Sequence, residues 1–117
     1  MTGSEFVQFH LEAVTRMNET VKKKNHDYTG DKGDAFANFK VVEEMGICST
    51  EQGFLTRMMD KVMRVNTFVQ KGTLKVADES VEDTLLDLAN YSILMVGYIK
   101  DKKAKALALE ANRVKAQ

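Results

Sequence analysis

No proline interrupts this chain, tryptophan is absent, and a single cysteine, Cys48, stands alone. Without proline the chain lacks the residue that most reliably breaks a helix. One cysteine excludes a disulfide within the chain. With only two histidines beside it, soft ligands are too few for a structural zinc site. An excess of one charge is also missing: 17 basic residues balance 17 acidic ones, so no overall field draws the chain to nucleic acid or a membrane. No run approaches the roughly 18 apolar residues of a membrane span, and no signal-peptide pattern opens the chain. There is no P-loop and no dinucleotide fingerprint. The expectation is a cytoplasmic protein of one domain, residues 1–117.

What is present is helical periodicity, with hardly any alternating segment, which predicts an all-α bundle of four or five helices. A first helix is expected over about residues 4–26, with Phe6, Phe9, Ala13, Val14, Met17 and Val21 on its apolar face. Thr2 and Glu5 are spaced for a capping box. Gly3-Ser4-Glu5-Phe6 is also what a common pair of cloning sites encodes, so residues 1–6 carry no functional weight. After a glycine- and aspartate-rich loop, Asp34 is placed to cap a short helix holding Phe36, Phe39, Val42 and Met45, stopped by Gly46. Ser49 and Gln52 form a second capping box before Leu55, Met58, Met59, Val62, Val65 and Val69, closed by Lys71-Gly72. Asp78 or Ser80 then starts a long acidic helix reaching about residue 100. The lysine- and alanine-rich tail, residues 101–117, reads as a further helix or an extension, exposed or packed on a second subunit.

The acidic helix is the most informative segment. At about 100° per residue, Glu79, Asp83, Asp87 and Asn90 fall along one stripe, among leucines and other apolar residues. Acids in the first turns suit the helix dipole and need no further reason. Asp87 and Asn90 lie beyond those turns, and acids among apolar neighbours need a cation, a donor or a raised pKa. Divalent metal binding with a phosphate ligand is the expected use. A second stripe, Arg57, Asp60, Lys61 and Arg64, lies opposite Leu55, Met59, Val62 and Val69. It is either a solvated face with internal ion pairs or a basic surface that meets the acidic stripe and reaches phosphate oxygens. Around the glycine loop, Tyr28 and Asn38 are groups able to stack on or hydrogen-bond a base. His10 reads as a packed residue, His26 beside Asp27 as no dyad, and Cys48 has no activating partner.

Taken in order, Lys24-x-x-Asp27-Tyr28, Asn38-Phe39, Arg57-x-x-Asp60-Lys61-x-x-Arg64 and Asp78-Glu79-Ser80-x-Glu82-Asp83-Thr84-Leu85-x-Asp87-Leu88-Ala89-Asn90-Tyr91 resemble a known family. They are similar to small phage and bacterial proteins of the nucleotide modification associated domain 1 type. These look related to the MazG-like all-α nucleoside triphosphate pyrophosphohydrolases and dimeric dUTPases. The resemblance covers about residues 20–100 and implies a MazG-like, oligomeric fold, a host-cytoplasmic location if the chain is phage-encoded, and Mg²⁺ as cofactor. It further implies cleavage between the α and β phosphates of a (deoxy)nucleoside triphosphate. Under it, Glu79 and Asp83 are catalytic, and Glu79, Glu82 and Asp83 hold Mg²⁺. Lys24, Tyr28, Asn38, Arg57, Lys61, Arg64, Asp87 and Asn90 are then substrate-binding, the basic three against phosphate charge.

The MazG-like pattern supplies its metal ligands as Glu-x-x-Glu on one helix and Glu-x-x-Asp on a later one, where this chain has Glu12 and Glu19 seven apart, Glu43-Glu44 adjacent, and a later Glu79-x-x-Glu82-Asp83. This keeps open a second expectation, a non-catalytic protein that captures a nucleotide or nucleotide-derived signal on the same scaffold. A third takes the acidic and basic helices as partners in an oligomer interface.

Overall fold

The computed structural model describes residues 1–30, 32–73 and 80–117, and for Tyr28 and Thr29 the backbone alone. Among these residues the fold is all-α, with four helices and no strand: α1 Gly3–Thr29, α2 Ala37–Glu44, α3 Thr50–Lys71 and α4 Val81–Lys115. No helix among them is long and apolar enough to cross a membrane. The chain divides into two compact units, Met1–Asn38 and Phe39–Gln117.

In the first unit, Thr2 and Glu5 close the expected capping box. Thr2 Oγ1 accepts from Glu5 N at 3.1 Å and Glu5 Oε2 accepts from Thr2 N at 2.8 Å. The helix runs three residues past the expected end. It stops at Gly30, whose φ of 66° suits glycine and whose N–H donates to the His26 carbonyl. Asp34 does not cap α2 directly. Its side chain accepts from Phe36 N at 3.0 Å and its carbonyl from Ala37 N at 3.2 Å, a turn that delivers the chain to α2.

In the second unit, Ser49 and Gln52 form the expected capping box, with bonds of 3.0 and 2.9 Å. Left-handed Gly72 ends α3, with its N–H on the Phe68 carbonyl at 2.7 Å. Of the two expected starts for the acidic helix, Ser80 is the cap, its Oγ accepting from Asp83 N at 3.1 Å; Asp78 lies outside the described residues. The tail is no separate element. It continues α4, whose 35 residues span about 52 Å.

Helices α3 and α4 pack antiparallel: Glu51 meets Lys102, Phe54 meets Tyr98, and Lys61 meets Asp87. Between them lies an aromatic core. Phe54 is fully buried, stacked on Phe39 of α2 with centroids 4.0 Å apart and planes 5° from parallel. Tyr98 lies tilted against Phe54 at 5.6 Å, and Tyr91 and Phe39 meet edge to face at 6.1 Å. Such pairs add about 0.5–1.5 kcal/mol each beyond their area. Gly53 explains why α2 comes so close to α3, since a methyl group there would sit 2.9 Å from Val42 Cγ2.

Candidate functional site

The two charged stripes meet. Lys61, on the core-facing side of α3, reaches Asp87 of α4 with Nζ–Oδ2 at 3.1 Å. The lysine side chain keeps only 13 % of its exposure and the aspartate 38 %, so the pair straddles the boundary between core and water. Around it α3 places Arg64, held to Asp60 at 3.5 Å one turn back, and Arg57, whose guanidinium lies 4.5 Å over the Phe39 ring. That ring is buried between Phe54 and Tyr91, so it offers the cation a flat apolar seat. From α4, Asp83 lies one turn before Asp87 and Asn90 one turn after it on the same stripe.

The expectation of acids sunk among apolar side chains is not met at Asp83. It is exposed, at the third position of α4, where carboxylates favour the positive end of the helix. Asp87 and Asn90 are half-buried. Glu82 is exposed and turned about 100° away from Asp83, off the stripe. Glu79 lies outside the described residues. Lys24 is exposed on α1, and Asn38 is exposed at the start of α2. Tyr28 falls in the last turn of α1. These three belong to the first unit, whereas Arg57, Lys61, Arg64, Asp83, Asp87 and Asn90 gather in the second.

Among the described residues no three His, Cys, Asp or Glu side chains converge as a metal cage. Mg²⁺ does not require one: it is commonly held by one or two carboxylates, completing its octahedron with water and phosphate oxygens. Asp83 and Asp87, hard oxygen donors one turn apart on one stripe, fit that lesser demand.

Two features escaped sequence reading. The cation–π seat of Arg57 needed the fold to bring Phe39 of α2 over α3. A second polar cluster lies along the same helix pair, where Lys102 Nζ reaches Glu51 Oε2 at 3.0 Å beside Tyr98. The Lys102 hydrogen bond, then that of Tyr98, lowers the Glu51 pKa. Burial, then the contact with Glu51, raises that of the Tyr98 hydroxyl. Tyr98 and Lys102 stand at i,i+4 on α4, a spacing that makes them neighbours, but Glu51 lies on another helix and no spacing rule connects it to them.

No curated protein and no solved structure matches this chain. A family model, nucleotide modification associated domain 1, matches residues 24–100. That stretch holds α2, α3 and the whole of the charged stripe on α4. The match spans 77 of 117 residues, and the chain belongs to the nucleotide modification associated domain 1 family.

Proposed function

We propose that the protein is an Mg²⁺-dependent pyrophosphohydrolase of MazG-like kind, acting on a (deoxy)nucleoside triphosphate as a homo-oligomer in the cytoplasm. The observation that carries this reading is the half-buried Lys61–Asp87 pair, flanked by Arg57, Arg64 and Asp83. A triphosphate arriving with its cation offers each member of that pair a new partner of the right sign. Lys61 would hold a phosphate oxygen and Asp87 with Asp83 would hold the Mg²⁺, an exchange that would leave no charge stranded. Arg57 and Arg64 add guanidinium donors in the fork geometry that phosphate accepts. Mg²⁺ would supply charge neutralisation on the bridging oxygens and an activated water. Asn90, half-buried on the same stripe, has amide donors and acceptors for sugar or base. Lys24, Tyr28 and Asn38, all in the first unit, remain proposed nucleotide-binding residues. Glu79 and Glu82 remain proposed metal ligands.

The test is release of pyrophosphate from a panel of nucleoside and deoxynucleoside triphosphates, with and without Mg²⁺. Product is expected only with the metal, and Asp83→Asn and Glu79→Gln are expected to abolish it. Unchanged turnover in both variants overturns the reading.

A second reading, capture of a nucleotide or nucleotide-derived signal without chemistry, is favoured by one observation. Where the MazG-like pattern has its first Glu-x-x-Glu pair, this chain has Glu12 and Glu19 seven apart and Glu43-Glu44 adjacent. It predicts a raised melting temperature with nucleotide, by mass action on the folded state, and no product over hours.

A further inference from the structure

The α3–α4 pair has a second long side, facing away from the charged stripe. The Lys61–Asp87 contact fixes which flanks of the antiparallel helices adjoin there, so the opposite flanks also share a side. That side carries Leu55, Met59 and Val62 from α3 and Leu85, Ile93 and Val96 from α4, each 40–60 % exposed. With Val69 and Ile99 beyond them, the apolar surface is on the order of 800 Å². The largest patch on a typical monomer is roughly 300–600 Å², whereas one partner in a standard interface contributes about 800 Å².

We infer that a second copy of this chain seats on this side, α4 against α4, antiparallel about a two-fold axis at the level of Asn90 and Tyr91. The stripe Glu82, Leu85, Ala89, Ser92, Val96, Lys100 is self-complementary in that register and in no parallel one. Residues whose numbers sum to about 181 come level across the axis: Ala89 with the partner's Ser92, Leu85 with the partner's Val96, Glu82 with the partner's Lys100. Two small residues therefore meet at the crossing, where the helices approach most closely. Two branched apolar pairs flank them, and opposite charges close both rims. Ser92 brings no orphan hydroxyl to the centre, because its Oγ donates to the Leu88 carbonyl at 3.0 Å. Glu82 and Lys100 are both exposed, as rim residues should be. Glu82 points about 100° around the helix from Asp83, which suits this rim, and under this inference it is not one of the metal ligands proposed above.

The inference deepens the homo-oligomer reading above and requires nothing of the nucleotide chemistry. Sedimentation equilibrium of the full chain at micromolar concentration tests it, with circular dichroism as the check on folding. Twice the chain mass is expected for the wild type and the single-chain mass for Val96→Asp. Glu82→Lys is expected to weaken the dimer at least tenfold, and adding Lys100→Glu to restore it. These two exposed positions decide the matter even if Val96→Asp fails to fold. A monomeric wild type overturns both the oligomer and the surface. A wild-type oligomer insensitive to Val96→Asp and to the charge reversals overturns this surface alone.

Discussion

The two long sides of the α3–α4 pair share one aromatic core and little else. On one side Lys61 pairs with Asp87, Arg64 with Asp60, Arg57 lies over the buried ring of Phe39, and Asp83 stands one turn from Asp87. On the other, Leu55, Val62, Leu85 and Val96 face outward at 40 % exposure or more. Both sides are built from helices that turn every 3.6 residues, so each third or fourth residue chooses a side and the sequence interleaves two surfaces. The difference teaches that α4 reads as apolar on most of its circumference because it serves a core, an outward face and only one narrow polar stripe.

The change expected to break both sides at once is Phe54→Ala. Phe54 is fully buried, stacked on Phe39 and against Tyr98, and its removal leaves a cavity under both surfaces. A loss of about 3–5 kcal/mol is expected, read as a lower midpoint in denaturant unfolding. A loss under about 1 kcal/mol would mean the aromatic stack is not the core that joins the two sides.

The charged side alone is addressed by Lys61→Met, which keeps the aliphatic stem and removes the charge. Asp87 keeps 38 % exposure and so regains water, which limits the stability cost to about 1 kcal/mol. Nucleotide affinity is expected to fall roughly tenfold, or about 1.4 kcal/mol, in titration calorimetry. Asp87→Asn should differ: affinity without Mg²⁺ holds and the gain from adding Mg²⁺ is lost. Equal behaviour of the two variants with and without metal would undo the exchange of partners proposed for the pair.

Much of this was legible before the fold. Capping residues Thr2, Ser49 and Ser80, and the stops at Gly46 and Gly72, are local chemistry, so those helix limits came within a few residues, whereas α1 runs on through residues 27–29, which read as loop, to Gly30. Asp34 misled because an aspartate before a helix can make a turn as readily as a cap. The basic stripe left two outcomes open, a solvated face with internal pairs or a meeting with the acidic stripe; Arg64 with Asp60 takes the first and Lys61 with Asp87 the second. Hydration was not legible, because periodicity places a residue on a face but does not say what covers that face, and so Asp83 is wet. The seat of Arg57 on Phe39 depends on how closely α2 crosses α3, which Gly53 permits but no pattern announces.

A smaller effect sharpens the reason why the charged side holds together where α2 meets it. Arg57→Gln removes the guanidinium from the Phe39 face while keeping a polar side chain of similar reach. The expected cost is about 0.5–1 kcal/mol in thermal unfolding, with Arg57→Lys recovering part of it. If Arg57→Gln is neutral for stability yet weakens nucleotide binding, the ring serves to aim the cation and contributes nothing to the fold.

The smallest expected effect lies at the Glu51–Tyr98–Lys102 cluster, and its sign differs at the two ends of the pH scale. Glu51 has a carboxyl pKa held below its usual 4.5 by Lys102 and then Tyr98. Its stabilising contribution is full above pH 4.5 and fades as pH falls through the lowered value. Tyr98 has its hydroxyl pKa pushed above the usual 10.0, first by burial and then by Glu51, and the Lys102 ammonium is likewise raised above 10.5. Both groups contribute fully below those usual values and lose that contribution as pH climbs through the raised ones. Tyr98→Phe keeps the ring against Phe54 and deletes the alkaline ionisation, so its melting temperature should fall less than that of the wild type between pH 10 and pH 11.5. Glu51→Gln should flatten the acid limb below pH 4.5 and also soften the alkaline one, because the carboxylate that raises both neighbours is gone. Parallel alkaline curves for the wild type and both variants would show that the cluster is carried by α3 and α4 without helping to hold them together.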